Sequence, residues 1–376
     1  TSIISENIEV DLNDFERIKN LIKKLKIDLV IVGPEKPLVN GIVDFLEKNH
    51  IKVFGPNKVA AQLEGSKIFT KNLCKKYNIP TAKFGTFNNL NESLNFLKES
   101  KFPIVVKADC LAAGKGVYIC ESLEEASQAV KEIFDGKFGE ANKVLIEEFL
   151  KGEEMSFFII SDGENYKRFG TAQDHKRVYE GDKGKNTGGM GAYSPSRLES
   201  ERLNKKIIEK IIEPTLKGLR ELNTTFKGFL YVGLMIVDNE PYLIEYNVRM
   251  GDPECQTILP RLKTDLLDII IACENKSLES INIDWLEEKS ICIVLCSKGY
   301  PDKYKNNLEI KNLREIKMSN NNYIFHAGTR IYNSKIFSNG GRVLNFVVTS
   351  NDLIKGRDQL IELIKNLNWT NGYFRK

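Results

Sequence analysis

The sequence predicts an α/β fold of the α+β kind, with a partial parallel α/β region at its N-terminus and a small β-rich region at its C-terminus. Three patterns carry this. Short apolar strands alternate with amphipathic helices from Asp28 to Phe54, at the spacing of a parallel strand–helix–strand unit. From Phe102 onward, strand-like runs with period two dominate, interrupted by glycine-rich stretches. Beyond Lys289 the chain reads as three strands and one closing helix.

In chain order, Phe15, Ile18, Leu21, Ile22 and Leu25 recur at helical spacing, and Asp14 is a cap for a helix over Leu12 to Lys26. A strand over Asp28 to Val32 ends in Gly33-Pro34-Glu35, a helix follows from Leu38 to Asn49, and a strand from Ile51 to Phe54 ends in Gly55-Pro56. Ligands approach the carboxyl ends of strands in such sheets, which places Glu35 near a site, although a plain turn explains it equally well. One helical run covers Ala60 to Tyr77. Two strands flank Ala108 to Gly116, Ser122 and Glu125 form a capping box for a helix to Phe134, and Val144 to Leu150 is a strand. Met155 to Ser161 and Phe229 to Val237 are strands, the latter forming a hairpin with Tyr242 to Arg249. Helices cover Glu201 to Leu222 and Leu262 to Cys273. The C-terminal strands are Ile291–Cys296, Tyr323–Phe325 and Arg342–Val348, with a helix over Asp352–Leu367 and a hairpin turn at Ser338-Asn-Gly-Gly341. The expected domains are 1–84, 85–153, 154–289 and 290–376.

With 376 residues, the chain has room for several cores. Its 55 basic and 51 acidic residues leave a formal charge of +4, too small to argue for nucleic acid. No apolar run approaches the roughly 18 residues of a membrane span, and the start lacks the basic and apolar regions of a signal peptide. Seven cysteines without C-x-x-C spacing read as free thiols in a reducing compartment, and three histidines make a histidine-based metal site improbable. A cytoplasmic monomer acting on small molecules is the expectation.

The chemistry-bearing residues begin with Lys107 and the loop Ala112, Ala113, Gly114, Lys115 and Gly116. Small residues let backbone N–H groups approach an anion, and two lysines neutralise it. This is not a Walker A loop, because G-x-x-x-x-G-K-[ST] is absent and a strand follows. Lys67 alone reads as a solvated helix lysine. Glu147, Glu148, Phe149 and Leu150 end a strand in an acid-acid-aromatic pattern that could meet an adenine edge, with Glu154 near ribose hydroxyls. A long glycine-rich connection from Thr171 to Pro195 carries Asp174, Lys176 and Arg177, then Gly188, Gly189, Met190 and Gly191. Basic residues beside glycines suit a loop that orders over an anionic substrate. Finally, Leu243, Glu245, Asn247 and Arg249 share one face of a strand, with Ile244, Tyr246 and Val248 on the other. Alone, Glu245-x-Asn247 is an edge strand with a polar face. Beside phosphate-binding lysines it suits Mg²⁺, which takes one or two protein oxygens and fills its shell with water and phosphate.

Taken together, Val32-Gly-Pro-Glu35, Gln62-Leu-Glu-Gly-Ser-Lys67, Val106-Lys-Ala-Asp-Cys-Leu-Ala-Ala-Gly-Lys-Gly116, Ala172-Gln-Asp-His-Lys-Arg177, Asn186-Thr-Gly-Gly-Met-Gly-Ala-Tyr-Ser-Pro195 and Arg249-Met-Gly-Asp-Pro-Glu254 resemble the phosphoribosylamine–glycine ligase family of the ATP-grasp superfamily. His326-Ala-Gly-Thr329 and Gly340-Gly-Arg-Val343 fit as well. The resemblance implies an ATP-grasp fold and ATP-dependent ligation of glycine to 5-phosphoribosylamine in purine biosynthesis, with Mg²⁺ or Mn²⁺. It implies that Lys67, Lys107 and Ala112–Gly116 hold phosphates, Glu147, Glu148, Phe149 and Leu150 adenine, and Glu154 ribose. Glu245 and Asn247 are then metal ligands. Arg249, Lys107 and Asp174 are the catalytic candidates. Glu35, Asp174, Lys176, Arg177, Gly188, Gly189, Met190, Gly191, Arg249 and Asp252 are the substrate contacts.

Three departures stand out. The family's opening strand and Gly-Ser-Gly-Gly-Arg-Glu loop have no counterpart, so the chain reads as truncated at its N-terminus. Cys110 replaces the usual glycine and Met250 the usual phenylalanine. Two rivals are an ATP-grasp carboxylase, of the biotin-carboxylase or purine type, and a nucleotide-binding protein without catalysis.

Overall fold

The computed structural model describes residues 5–111, 116–139 and 143–376. Several of its helices begin where capping side chains meet the first free N–H groups. Asp14 accepts from the Arg17 amide at 3.0 Å, starting Phe15–Leu25. Ser122 accepts from the Glu125 amide at 3.2 Å, starting Leu123–Phe134. Two expected single helices are broken. The run over 38–49 is Glu35–Asn40 and Ile42–Lys48, because Gly41 takes a left-handed φ of 95° between them. The run over 60–77 is Gln62–Gly65 and Lys67–Tyr77, separated by an extended Ser66 whose hydroxyl accepts from Phe69 N–H at 3.1 Å. Lys67 therefore opens a helix instead of lying inside one.

The N-terminal parallel unit is present as Val30–Ile31 paired with Val53–Phe54. A four-stranded antiparallel sheet follows, in the order Phe84–Phe87, Val144–Glu148, Ile104–Ala108, Val117–Cys120. Alternation along its strands divides the side chains between two faces. Ile104, Val106, Val144 and Ile146 pack with Ala126, Val130 and Ile133 of the helix behind, and Lys107 and Glu147 take the opposite face.

The largest sheet has nine strands and runs through most of the remaining chain. Its central strands, Glu153–Asp162 and Lys227–Val237, are apolar on both sides because helices cover both faces. Phe157, Ile159, Leu230 and Val232 meet Ile207, Ile211 and Leu219 on one side. Phe158, Ile160 and Phe229 meet Ile269, Ile270 and Cys273 on the other. Full burial of such side chains stabilises by roughly 1.5–3 kcal/mol each. The helix expected over 201–222 is Glu201–Ile207 and Glu213–Glu221 with a π-helical turn, Ile208–Ile212, between them.

Two expectations fail here. The connection from Thr171 to Pro195 is not loop: it contains strands Tyr166–Asp174, Arg177–Tyr179, Lys183–Asn186 and Gly191–Ser194. Gly191–Ser194 pairs with Tyr166–Asp174 on one side and Lys289–Ser297 on the other, which makes the C-terminal strands a continuation of the same sheet. Ser338–Gly341 is not a hairpin turn either. The hairpin is Thr329–Tyr332 with Lys335–Ser338, turned by Asn333 and Ser334 in left-handed conformations. Glycine is needed at 341 for a different reason, since a Cβ there would lie 2.2 Å from the Tyr300 ring. Among the described residues, no helix is long and apolar enough to cross a membrane.

Candidate active site

A cleft of about 560 Å³ separates the cleft face of the four-stranded sheet from the strand Glu240–Asn247. Lys107, on that face, forms a buried ion pair with Glu147, and Lys71 pairs with the other oxygen of the same carboxylate. Burial alone would push the Glu147 carboxyl up, but Lys107 and Lys71 outweigh it and hold it below its ordinary value. Lys67 reaches the same region from the first turn of its helix and donates to Cys110 O at 2.9 Å. Glu147 thus differs from expectation. Its carboxylate is committed to two lysines and is not free for an adenine edge. The Glu148 side chain accepts from Lys83 N–H at 2.9 Å, while Phe149 and Leu150 line the cleft just past the strand. Ala112, Ala113, Gly114 and Lys115 lie outside the described residues; Gly116 lines the cleft.

Facing this group, Glu245 and Asn247 both line the cleft. The alternation expected for their strand holds only from Glu245 onward. Glu245 pairs with Gly233 but Leu243 with Leu234, so Ile244 is an extra residue in a bulge. In consequence Leu243 turns into the core with Tyr246 and Val248, where the simple alternation had put it on the polar face. Glu245 is half-buried among Lys176, Lys107 and Lys67, whose charges overcome desolvation and keep its carboxyl below the usual range. Its Oε1 stands 3.7 Å from Lys176 Nζ, beyond hydrogen-bond distance. Lys176 is instead bonded to Glu154 at 3.0 Å, which places both residues in the cleft.

At the other end, Arg249 is held by two carboxylates, Glu64 at 2.7 Å and Glu35 at 3.3 Å. Glu64 also accepts from Val248 N–H at 2.8 Å. Burial, against the pull of Arg249, pushes the Glu64 carboxyl up to about 7. Asp174 has an oxygen buried without a hydrogen-bond partner, and burial together with neighbouring Glu254 raises its carboxyl well above the usual range. Glu254 itself accepts from Ser156 Oγ at 3.2 Å. Arg342 arrives from the C-terminal sheet. It donates to Gly188 O at 2.7 Å, to Asp252 O at 2.5 Å and to Asp252 Oδ2 at 3.0 Å, and so ties the glycine segment to the turn after Arg249.

Four expected substrate contacts do not line the cleft. Arg177 points away and donates to Gly184 O at 2.7 Å. Met190 is a core residue, packed with Val178, Cys292 and Val294, and Gly191 lies in a paired strand where a Cβ would meet Cys292 O at 2.6 Å. Gly189 acts from beneath, since φ is +114° and a Cβ would lie 2.5 Å from Pro253 Cδ and 2.8 Å from Asp174 Oδ1. Replacement of Gly189 by alanine is expected to lower kcat/KM by roughly tenfold or more and to destabilise the fold by about 1–3 kcal/mol, as strain and a clash displace Asp174 and Asp252 together. Steady-state kinetics and denaturant unfolding of the variant check this. Sequence reasoning missed Lys71, Glu64 and Arg342 as site-forming side chains, whereas the tight turn at Gly251 and Pro253 had placed Asp252 and Glu254 near the same cavity, where both are found. The signals were present for some: Lys71 is one helical turn beyond Lys67, and Glu64 and Arg342 lie inside motifs already singled out.

Comparison with known proteins identifies the family. Domain models of phosphoribosylglycinamide synthetase match the N domain at residues 1–64, the ATP-grasp (A) domain at 65–255 and the C domain at 290–376. A phosphoribosylamine–glycine ligase of Brucella melitensis is 43% identical over 373 residues, covering 99% of this chain and 87% of the relative. The chloroplastic phosphoribosylamine–glycine ligase of Arabidopsis thaliana is 44% identical over 373 residues, covering 98% of this chain and 70% of the relative. The crystal structure of the Thermotoga maritima phosphoribosylamine–glycine ligase has a TM-score of 0.81 at 32% identity, with 94% of this chain and 87% of that one covered. Biotin carboxylase from Campylobacter jejuni has a TM-score of 0.74 at 17% identity, covering 94% of this chain and 78% of that one, a likeness of fold alone. The fold is ATP-grasp, and the chain belongs to the phosphoribosylglycinamide synthetase family.

Proposed function

We propose that the chain ligates glycine to 5-phosphoribosylamine with ATP, giving glycinamide ribonucleotide, ADP and phosphate, a step of de novo purine biosynthesis. Family membership makes it an ATP-binding ligase. The observation that carries the substrate reading is the meeting of three groups in one cleft: the lysines Lys67 and Lys107, the pair Glu245 and Asn247, and the Arg249–Glu254 turn.

The glycine carboxylate attacks the γ-phosphorus of ATP and ADP leaves, forming glycyl phosphate. The amine of phosphoribosylamine then attacks the glycyl carbonyl, phosphate leaves, and the amine gives up a proton. Lys67 and Lys107 hold and neutralise phosphate oxygens, which is most of what phosphoryl transfer asks of a protein. Phe149, Leu150 and the backbone near Glu148 hold the adenine, and Glu154 the ribose. Arg249, fixed by Glu35 and Glu64, faces the charge that develops on the transferred group. Asp174 takes the amine proton, a role that fits an unpartnered oxygen and a raised carboxyl. Lys176, Gly188 and Asp252 lie on the phosphoribosylamine side. Glu245 and Asn247 fit Mg²⁺ or Mn²⁺, being one ionised carboxylate and one amide on the same strand face, with the remaining positions left for water and phosphate. When bound, the ion withdraws charge from the phosphate oxygens.

The division into 1–84, 85–153, 154–289 and 290–376 is kept as a reading of the domains, supported by separate cores in the second and fourth. A cytoplasmic monomer without nucleic-acid or membrane partners is kept as part of this reading, and the small net charge of +4 suits the lack of a nucleic-acid partner. Sustained ADP release over many turnovers is expected only with glycine and phosphoribosylamine together with ATP. Turnover that depends on bicarbonate and ignores glycine would overturn the reading in favour of a carboxylase.

A further inference from the structure

Lys71 stands outside every role given so far, yet it is among the most buried charges of the molecule, at 2% exposure. It shares the Glu147 carboxylate with Lys107, one lysine on each oxygen. The three groups are 2%, 3% and 6% exposed, so water screens little of their interaction. Its Nζ also donates to Thr81 Oγ1 at 2.5 Å, and that hydroxyl donates to Leu243 O at 2.7 Å. Thr81 and Leu243 form a single isolated bridge of parallel sense, and Leu243 N–H donates to Pro80 O at 2.8 Å. A continuous polar path therefore joins Lys107 and Glu147, on the small sheet, to the bulged strand that carries Glu245 and Asn247 on the large one.

We infer that Lys71 is a positioning residue for nucleotide binding: it acts through Glu147 to aim Lys107, and through Thr81 to fix the small sheet against the Glu245 strand. Two physical consequences follow from the geometry. A carboxylate paired with Lys107 alone would cancel its charge and draw it away from the cleft. Shared between two ammonium groups, the same carboxylate leaves the trio with net positive charge toward a phosphate. The path through Thr81 also sets the spacing of the two lobes at the place where the bulge re-aims the strand, so both lobes meet a single nucleotide in register.

This rests on Lys107 as a nucleotide-binding lysine, and the experiment separates the two. Lys71→Met, Thr81→Val, Lys107→Met and the double variant Lys71→Met/Glu147→Gln are compared with wild type for the KM of ATP, glycine and phosphoribosylamine, and for melting temperature. Lys71→Met is expected to raise the KM of ATP about tenfold or more, the scale of a lost hydrogen bond between charged groups, with the KM of glycine within about twofold of wild type. A merely structural lysine would change all three KM values together or none. The double variant is expected to bind ATP no worse than Lys71→Met, because the surplus carboxylate is removed along with its partner. Thr81→Val, which keeps the ion pairs, is expected to raise the KM of ATP by a smaller factor, and decides the matter if Lys71→Met does not fold. An unchanged KM of ATP in folded Lys71→Met, or in Thr81→Val where Lys71→Met is unfolded, overturns the inference while Lys107→Met still raises it. If Lys107→Met leaves that KM unchanged, the underlying nucleotide reading falls, and the inference with it.

Discussion

Replacement of Glu245 by glutamine is expected to lower kcat/KM for ATP by roughly two to three orders of magnitude, the scale seen when one preorganised charge is removed from a phosphoryl-transfer or oxyanion site. The side chain keeps its shape and loses its charge. Glu245 is surrounded by Lys176, Lys107 and Lys67, which hold its carboxyl ionised despite burial. Without that charge the three ammonium groups repel one another, and a divalent ion would lose its proposed carboxylate ligand. The concentration of Mg²⁺ needed for half-maximal activity is expected to rise, and chelation is expected to abolish wild-type turnover reversibly. Asn247→Ala removes a neutral donor and is expected to have the smaller effect. A Mg²⁺ titration of wild type and both variants checks the ranking. A Glu245→Gln variant within threefold of wild type at every Mg²⁺ concentration would remove Glu245 from the metal site.

Glu245 and Asn247 were legible in the sequence because a period of two places them on one side of a strand whatever surrounds it. The bulge at Ile244 was not, because it depends on which residue of the neighbouring strand faces Glu245. That residue is Gly233, where a Cβ would stand 3.1 Å from Glu245 Cγ. The same difference separates Lys107 from Glu147. The lysine was recognisable beside a small-residue loop, but the second partner of the Glu147 carboxylate, Lys71, comes from a helix far earlier in the chain, and no local pattern announces an ion pair of that range. Met190 was misread for a related reason. Flanking glycines suggested a mobile loop, whereas Met190, Ala192 and Ser194 are buried at alternate positions as the sheet passes from the Asp174 strand to the C-terminal strands. Glycine here serves close approach, not mobility.

A pH signature of the site is expected at Glu64, and it should appear in stability. Its side chain is only 7% exposed, between Arg249 and the Val248 amide, and burial raises its carboxyl from an ordinary 4.5 to about 7 despite the attraction of Arg249. A carboxyl raised on folding binds its proton more tightly in the native chain than in the unfolded one. Below pH 4.5 both states hold the proton and the contribution is fully present. Between 4.5 and about 7 the native state alone holds it, so stability falls as pH rises. Above about 7 the contribution is gone. At 1.36 kcal/mol per unit, the whole window amounts to about 3 kcal/mol. Other groups titrate in the same range, so the measurement is the difference in unfolding free energy between wild type and Glu64→Gln, followed from pH 4.5 to 8. The glutamine variant shifts the curve by a constant and removes this slope; a flat difference curve would show that Glu64 does not titrate there. Arg249→Met supplies the sign test. Because Arg249 pulls the Glu64 carboxyl down, its removal should carry the upper end of the window above 7, and movement toward lower pH would contradict the pairing seen here.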